Sequence, residues 1–148
     1  MISSRRPINI LLVEDNPGDV RLTQEAFKEG NITVNLEVAR DGVEAIAYLR
    51  QQDPFPDAIT PDLILLDLNL PKRDGREVLA EIKTDPELKR IPVVVLTTSN
   101  AEADIMKSYN LHVNCYINKP VDFDRFFEIV QKIEDFWLTT AVLPTMVA

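Results

Sequence analysis

The sequence predicts an α/β fold, a five-stranded parallel doubly wound sheet with helices on both faces. Apolar runs that suit fully buried strands recur along the chain, at Ile8 to Val13, Leu63 to Leu66 and Val93 to Leu96. Helical patterns separate these runs, as the crossovers between parallel strands require. The chain has 148 residues, enough for one domain to bury a core without disulfides or metals.

Two weaker strands and five helices complete the alternation. The weaker strands are Val34 to Ala39 and Cys115 to Asn118, each between polar or turn-forming residues. Helical patterns lie at about Asp19 to Glu29, Val43 to Gln52, Arg76 to Thr84 and Ala101 to Tyr109, and a last helix begins at about Asp122. The stretch Asp53 to Pro61 holds three prolines and no helical period, so it is predicted to be a surface loop.

Composition and charge limit the possible partners. The formal net charge of -8 opposes binding to nucleic acid and to anionic lipid, because the protein's field repels both. A single cysteine, Cys115, cannot form an internal disulfide, and the first residues lack the features of a signal peptide. No apolar run approaches the roughly 20 residues of a membrane-spanning helix. A cytoplasmic location, away from membranes, is therefore expected.

Polar side chains follow four of the predicted strands. Glu14 and Asp15 follow the first, Asp67 the third, Thr97 the fourth and Lys119 the fifth. In doubly wound sheets ligands bind at the carboxyl ends of the strands, so these groups are expected at one edge. Taken singly, each has an ordinary explanation as a solvated loop residue, a helix cap or a surface lysine. Their joint placement instead indicates a functional site.

Chemistry assigns roles to these residues. Clustered carboxylates repel one another unless a cation neutralises them, and an all-oxygen ligand set suits Mg²⁺. Asp67 is then the candidate nucleophile, since an aspartate can accept a phosphoryl group while a metal ion and a lysine offset charge on that group. Lys119 and Thr97 are the candidate groups on the phosphoryl side.

These residues and their surroundings resemble a known family. Glu14-Asp15, LILLDLNLPKRDG around Asp67, VVVLTTS around Thr97 and YINKP at Lys119 are similar to the receiver domains of response regulators, over about Ile8 to Phe136. The resemblance implies a flavodoxin-like fold with strand order 2-1-3-4-5. It also implies a phosphoacceptor switch with only slow self-dephosphorylation, and not an enzyme in the ordinary sense.

The resemblance also implies finer roles within the site. The backbone carbonyl of Asn69 would join the paired acids and Asp67 in holding Mg²⁺. Lys119 would contact the phosphoryl group, and its peptide bond to Pro120 would be cis. Thr97 would bond the phosphoryl group on activation, and Tyr116 would rotate inward as the threonine moves. For Tyr116, plain core packing is the alternative role.

A narrower resemblance concerns stand-alone response regulators that are paired with cyanobacterial phytochromes. It is carried by DLNLPKRDGREVLAEIK, LKRIPVVVLTTS, YNLHVNCYINKP and the terminal IEDFWL. It implies a partner histidine kinase with a light-sensing module. It further implies a homodimer formed through the fourth helix, fifth strand and fifth helix.

The carboxyl-terminal part of the chain independently favours a dimer. The last helix carries apolar residues over roughly 200° of its circumference. A single hydrophobic core is not expected to cover so wide an apolar surface. Deep burial in its own domain is the alternative. The expected organisation is an extension at residues 1–7, a receiver domain at 8–137 and an interface tail at 138–148. Interface residues are expected to be Phe123, Phe127, Phe136, Trp137 and Leu138.

Three other function classes are weaker. Phosphohydrolases with an aspartate nucleophile place a second aspartate two positions later, where this chain has Asn69. A flavin module would need a phosphate-binding loop after the first strand, where the acidic pair would repel phosphate. A DNA-binding regulator would need a further domain after Trp137, so output is expected through protein contacts.

Overall fold

The computed structural model describes residues 7–30, 33–68, 70, 74–97 and 115–118, together with Asp124, Phe127, Glu128, Gln131 and Lys132. The described strands form one parallel sheet in the order β2-β1-β3-β4-β5, which confirms the predicted fold class and strand order. The strands are β1 (Ile8–Val13), β2 (Val34–Ala39), β3 (Leu63–Asp67), β4 (Val93–Thr97) and β5 (Cys115–Asn118).

The core lies on both faces of the central strands. Alternate residues of β1 and β3 point to opposite faces, and all residues of β3 are buried. One face packs against Val78, Leu79 and Ile82, and the other against Val20 and Phe27. Burial on both faces explains why these strands are continuous apolar runs.

Three helices are described between β1 and β4, and each begins at a side-chain cap. They are α1 (Pro17–Lys28), α2 (Gly42–Leu49) and α3 (Gly75–Thr84). The Asn16, Asp41 and Asp74 side chains accept hydrogen bonds from backbone N–H groups of the first turns. Each helix therefore begins one or two residues before the predicted start. A short 3-10 helix, Leu88–Arg90, precedes β4.

The predicted loop after α2 is confirmed, because residues 53–61 contain no helix or strand. The Asp53-Pro54 peptide bond in it is cis. The predicted helix Ala101 to Tyr109 lies outside the described residues. The described residues of the last helix are helical, and the Gln131 side chain donates a 2.5 Å hydrogen bond to the Ala26 carbonyl of α1.

The predicted amino-terminal extension (1–7) and carboxyl-terminal tail (138–148) lie almost wholly outside the described residues, apart from Pro7. Among the residues that the structure does describe, no helix has both the length and the apolar character needed to cross a bilayer.

Candidate functional site

Three acidic side chains meet at the carboxyl edge of the sheet. Glu14, Asp15 and Asp67 each offer a carboxylate oxygen, and these three oxygens lie within 4.8 Å of one another. The predicted convergence of the acidic residues is therefore present in the structure.

The parallel register explains why these side chains meet. Val13, the last residue of β1, pairs with Leu66 of β3, so the next residues of the two strands, Glu14 and Asp67, emerge side by side. The backbone N–H of Glu14 donates a 2.9 Å hydrogen bond to the Ala39 carbonyl, which continues the pairing of β1 with β2 by one residue. The sheet itself thus holds the backbone of Glu14 in place.

The three carboxylates differ in exposure. Glu14 is 2% exposed and Asp67 is 6% exposed, whereas Asp15 is open to solvent. Burial removes water that would screen their mutual repulsion, so a cation is favoured at this position. The ligand atoms are oxygens, which suit a hard divalent ion. The arrangement fits a divalent-cation site that remains open on the Asp15 side.

Asn16 connects the acidic pair to α1. Its backbone N–H donates a 3.2 Å hydrogen bond to Oε2 of Glu14, and its side-chain oxygen accepts a 3.1 Å bond from the Asp19 N–H. Pro17 follows in the first turn, where its missing N–H is tolerated. Asn16 therefore turns the chain into α1 and also orients the Glu14 carboxylate.

The start of α3 supports Asp67 from the other side. The Gly75 N–H donates a 3.1 Å hydrogen bond to the carbonyl of Leu68, the buried residue directly after Asp67. Asp74 caps the helix by accepting a 2.7 Å bond from the Arg76 N–H, and its carboxylate also pairs with the Arg76 guanidinium at 2.9 Å. These contacts join the residue after β3 to the first turn of α3.

The phosphoryl-side residues are described only in part. Thr97 ends β4 and pairs in register with Asn118, the last residue of β5, so the backbones of both strands end at this same edge. Tyr116 lies within β5, opposite Val95. Nothing is described of the Thr97 and Tyr116 side chains. Asn69, Lys119 and the Lys119-Pro120 peptide bond lie outside the described residues.

Only one predicted interface residue is described. Phe127 is partly buried against the core cluster on the α1 side of the sheet, so at least part of this side chain packs within its own domain. The other four predicted interface residues lie outside the described residues, and they are Phe123, Phe136, Trp137 and Leu138.

Sequence reasoning missed three residues that support the site. Asn16 followed by Pro17 is a recognisable pattern for the start of a helix, and so is Asp74 directly before α3. Both helix caps could therefore have been predicted from the sequence. Gly75 gave no comparable signal, because its contact with the end of β3 depends on how closely the helix approaches the sheet.

Comparison with known proteins identifies the family to which this chain belongs. The family model described as the response regulator receiver domain matches residues 10–131. The chain belongs to the response regulator receiver family. This receiver domain is accordingly a phosphoacceptor of two-component signalling.

Individual relatives agree with the family assignment. The receiver domain is 57% identical over 141 residues to response regulator Rcp1 of Synechocystis sp. (strain PCC 6803), covering 95% of this chain and 96% of that protein. It is also 42% identical over 138 residues to the probable methanogenesis regulatory protein FilR2 of Methanothrix harundinacea, covering 93% and 88% of the two chains.

Solved structures show the same relationship. The phosphorylated cyanobacterial phytochrome response regulator RcpA superposes with a TM-score of 0.91 at 60% identity, covering 94% of this chain and 99% of that one. The Mn²⁺-bound form of Rcp1 gives a TM-score of 0.90 at 57% identity, with 93% and 99% covered. The resemblance to phytochrome response regulators is thereby confirmed.

Proposed function

We propose that Asp67 accepts a phosphoryl group from a phytochrome-type histidine kinase, in a reaction that requires Mg²⁺. The observation that carries this proposal is the placement of a buried Asp67 carboxylate beside Glu14 and Asp15 at the carboxyl edge of the sheet. Of the three acids, Asp67 ends the central strand β3 and has the backbone of the following residue bonded to α3. Asp67 is thus the acid that belongs to the sheet itself, paired in register with Leu96 of β4.

The reaction is a phosphoryl transfer between a phosphohistidine and a carboxylate. A carboxylate oxygen of Asp67 attacks phosphorus in line with the leaving nitrogen. The new P–O bond forms as the P–N bond breaks, and the imidazole nitrogen keeps the electron pair and is protonated from solvent. The product is an acyl phosphate on Asp67, and no further co-reactant is needed.

Glu14, Asp15, Asp67 and the carbonyl of Asn69 are proposed to hold the Mg²⁺. When bound, the ion offsets negative charge on both the carboxylate and the transferring phosphoryl oxygens. Oxygen ligands and an open side suit Mg²⁺, which keeps several of its waters. The Mn²⁺ in the Rcp1 structure supports a divalent ion in a related receiver.

Lys119 and Thr97 are proposed to contact the phosphoryl group. An ammonium and a hydroxyl would donate charge-assisted hydrogen bonds to its oxygens, each contributing roughly 1.5–3 kcal/mol. Moving a switch from 1:99 to 99:1 takes about 5.5 kcal/mol, so two or three such bonds suffice. Tyr116 is proposed to follow Thr97 in this switch. The roles proposed for Thr97 and its partners are supported by the register of β4, because Leu96, the residue before Thr97, pairs with Asp67.

The proposed kinase partner rests on similarity to named phytochrome response regulators. RcpA is named as the response regulator of a cyanobacterial phytochrome, and it shares 60% of its residues with this chain over nearly its full length. We further propose a homodimer whose interface includes the last helix and the 138–148 tail, with output through protein contacts in the cytoplasm. The net charge of -8 favours neither nucleic acid nor membrane as a partner.

The decisive experiment is intact mass spectrometry after incubation with a small phosphodonor such as acetyl phosphate, with and without Mg²⁺. The native chain is expected to gain one phosphoryl adduct only when Mg²⁺ is present, and Asp67→Asn is expected to gain none. Asp62→Asn is the matched control, because Asp62 is also a buried aspartate and lies at the other end of β3. An adduct that persists in Asp67→Asn would assign the chemistry to another residue.

The partner is tested by phosphotransfer from purified kinases. A phytochrome kinase that has phosphorylated itself is expected to lose its label to this chain within seconds to minutes, while a histidine kinase of another sensory class transfers far more slowly. Equal transfer from both kinases would leave the receiver chemistry intact and contradict the phytochrome pairing.

A further inference from the structure

The geometry points to Gly75 as a positioning residue for the phosphoacceptor. It is the first residue of α3, and a Cβ placed on it would lie 2.5 Å from the Asp67 carbonyl oxygen, 2.5 Å from the Leu68 Cα and 2.8 Å from the Leu68 oxygen. All three atoms belong to backbone, which cannot rotate away as a side chain can. This inference rests on the proposed role of Asp67 and extends it to the helix that supports Asp67.

The need for glycine here comes from the close approach and not from backbone conformation. No glycine among the described residues has a positive φ, so Gly75 adopts angles that any residue can adopt. What a larger residue lacks is space, because contacts below 3.0 Å are essentially never made by a Cβ atom. Only glycine lets α3 start directly against the backbone of the phosphoacceptor.

The helix itself is poorly able to retreat from a larger residue. Val78, Leu79 and Ile82 are fully buried, and they anchor α3 against the sheet. Its first turn is fixed by the Asp74 cap and by the bond from the Gly75 N–H to the Leu68 carbonyl. The shift that an added Cβ demands therefore falls largely on Asp67 and Leu68.

A displaced Asp67 changes the site more than it changes the fold. Glu14 and Asp15 follow β1, and the Asn16 N–H at the start of α1 bonds Glu14, so α3 does not carry them with it when Asp67 moves. The three carboxylates would then no longer converge on one ion. A misplacement of about 1 Å in a reacting group can reduce a rate about a hundredfold.

The test compares Gly75→Ala with two controls in three measurements, which are Mn²⁺ affinity, the rate of phosphorylation by acetyl phosphate and thermal stability. Val78→Ala truncates a buried side chain in the same helix, so it destabilises α3 without adding an atom near Asp67. Glu77→Ala changes an exposed side chain in the first turn of the same helix, so it alters the sequence near Gly75 without adding an atom near Asp67.

Gly75→Ala is expected to weaken Mn²⁺ binding and to slow phosphorylation, each by about tenfold or more. Both controls are expected to stay within about threefold of the native chain in these two measurements, even though Val78→Ala melts at a lower temperature. If Gly75→Ala is folded and stays within about threefold of the native values, or loses no more than Val78→Ala does, the positioning role is wrong.

A second measurement uses the native chain and does not depend on a variant that folds. Because the Gly75 N–H bonds the carbonyl next to Asp67, a metal ion that fixes Asp67 should slow hydrogen exchange at Gly75 by about threefold or more. Backbone N–H groups within α2 serve as the internal reference. Unchanged Gly75 exchange at saturating Mg²⁺ would overturn the coupling. Phosphorylation of the native chain that depends on Asp67 is scored separately, so failure here leaves the proposed acceptor standing.

Discussion

Two aspartates at opposite ends of β3 have different surroundings, a backbone N–H group at one end and two other carboxylates at the other. Asp62 directly precedes the strand and is 1% exposed, and Asp67 ends it and is 6% exposed. Asp62 accepts a 2.9 Å hydrogen bond from the Asn9 N–H, and its own N–H donates a 2.7 Å bond to the Asn9 carbonyl. Asp67 instead lies beside the carboxylates of Glu14 and Asp15.

The difference lies in what surrounds each carboxylate. A buried carboxylate that accepts a backbone N–H has its charge stabilised by the protein and joins β3 to β1. A buried carboxylate within a group of acids is destabilised by their negative charges, and a cation offsets that repulsion. Burial alone therefore does not distinguish the two aspartates, whereas the charges around each carboxylate do. The two ends of β3 should respond in opposite ways to metal and to mutation.

Adding a divalent metal ion should give the largest difference in stability between variants at the two ends of β3. At a concentration of Mg²⁺ about a hundred times its dissociation constant, binding should stabilise the native chain by about 2.7 kcal/mol. Asp62→Asn should keep this gain because its site is at the other end of the strand, and Asp67→Asn should lose most of it. Chemical denaturation with and without Mg²⁺ measures the difference. Equal gains in both variants would place the ion elsewhere.

Removing the structural aspartate should give a smaller effect of a different kind. Asp62→Ala takes away the acceptor of the Asn9 N–H and should lower the free energy of unfolding by about 1–3 kcal/mol without metal. Asp67→Asn keeps its size and removes one of three clustered charges, so it should be at least as stable as the native chain under the same conditions. Urea titration in a chelating buffer tests both. If Asp67→Asn lowers the free energy of unfolding more than Asp62→Ala does, Asp67 and not Asp62 is the aspartate that stabilises the fold.

Most of the sheet was predictable because its strands are buried on both faces. β1, β2 and β5 have the predicted bounds, whereas β3 and β4 each extend by one polar residue, Asp67 and Thr97. Patterns of apolar residues end where the polar site begins, although the backbone pairing continues. The apolar patterns thus cut short two of the strand ends that carry predicted site residues, those of β3 and β4.

Helix starts and close contacts were harder to predict. α2 begins at Gly42 and ends at Leu49, while the pattern predicted Val43 to Gln52, because the Asp41 cap adds a residue and Gln51 adopts a left-handed conformation with φ 54°. The acidic convergence of the site followed from sheet topology. The contact of Gly75 with Asp67 depends on distances across the fold, which a single sequence does not contain.

The smallest change in stability is expected on replacing either of two asparagines, one at each end of the sheet. The Asn16 side chain caps α1 beside Glu14, and the Asn35 side chain donates a 3.2 Å bond to the Asn9 side chain at the amino end. Asn16→Ala should lower stability by about 1 kcal/mol through the lost cap, and Asn35→Ala by about 0.5 kcal/mol or less because its bond is exposed.

Only the first of these changes should reach the metal site. Without its cap, the first turn of α1 frays, and the Asn16 N–H that orients Glu14 is held less firmly. Mn²⁺ affinity should fall by about twofold to fivefold in Asn16→Ala and stay unchanged in Asn35→Ala, as titration calorimetry can resolve. If both variants bind Mn²⁺ as the native chain does, Glu14 is fixed by the sheet alone, and the cap of α1 belongs to the fold and not to the site.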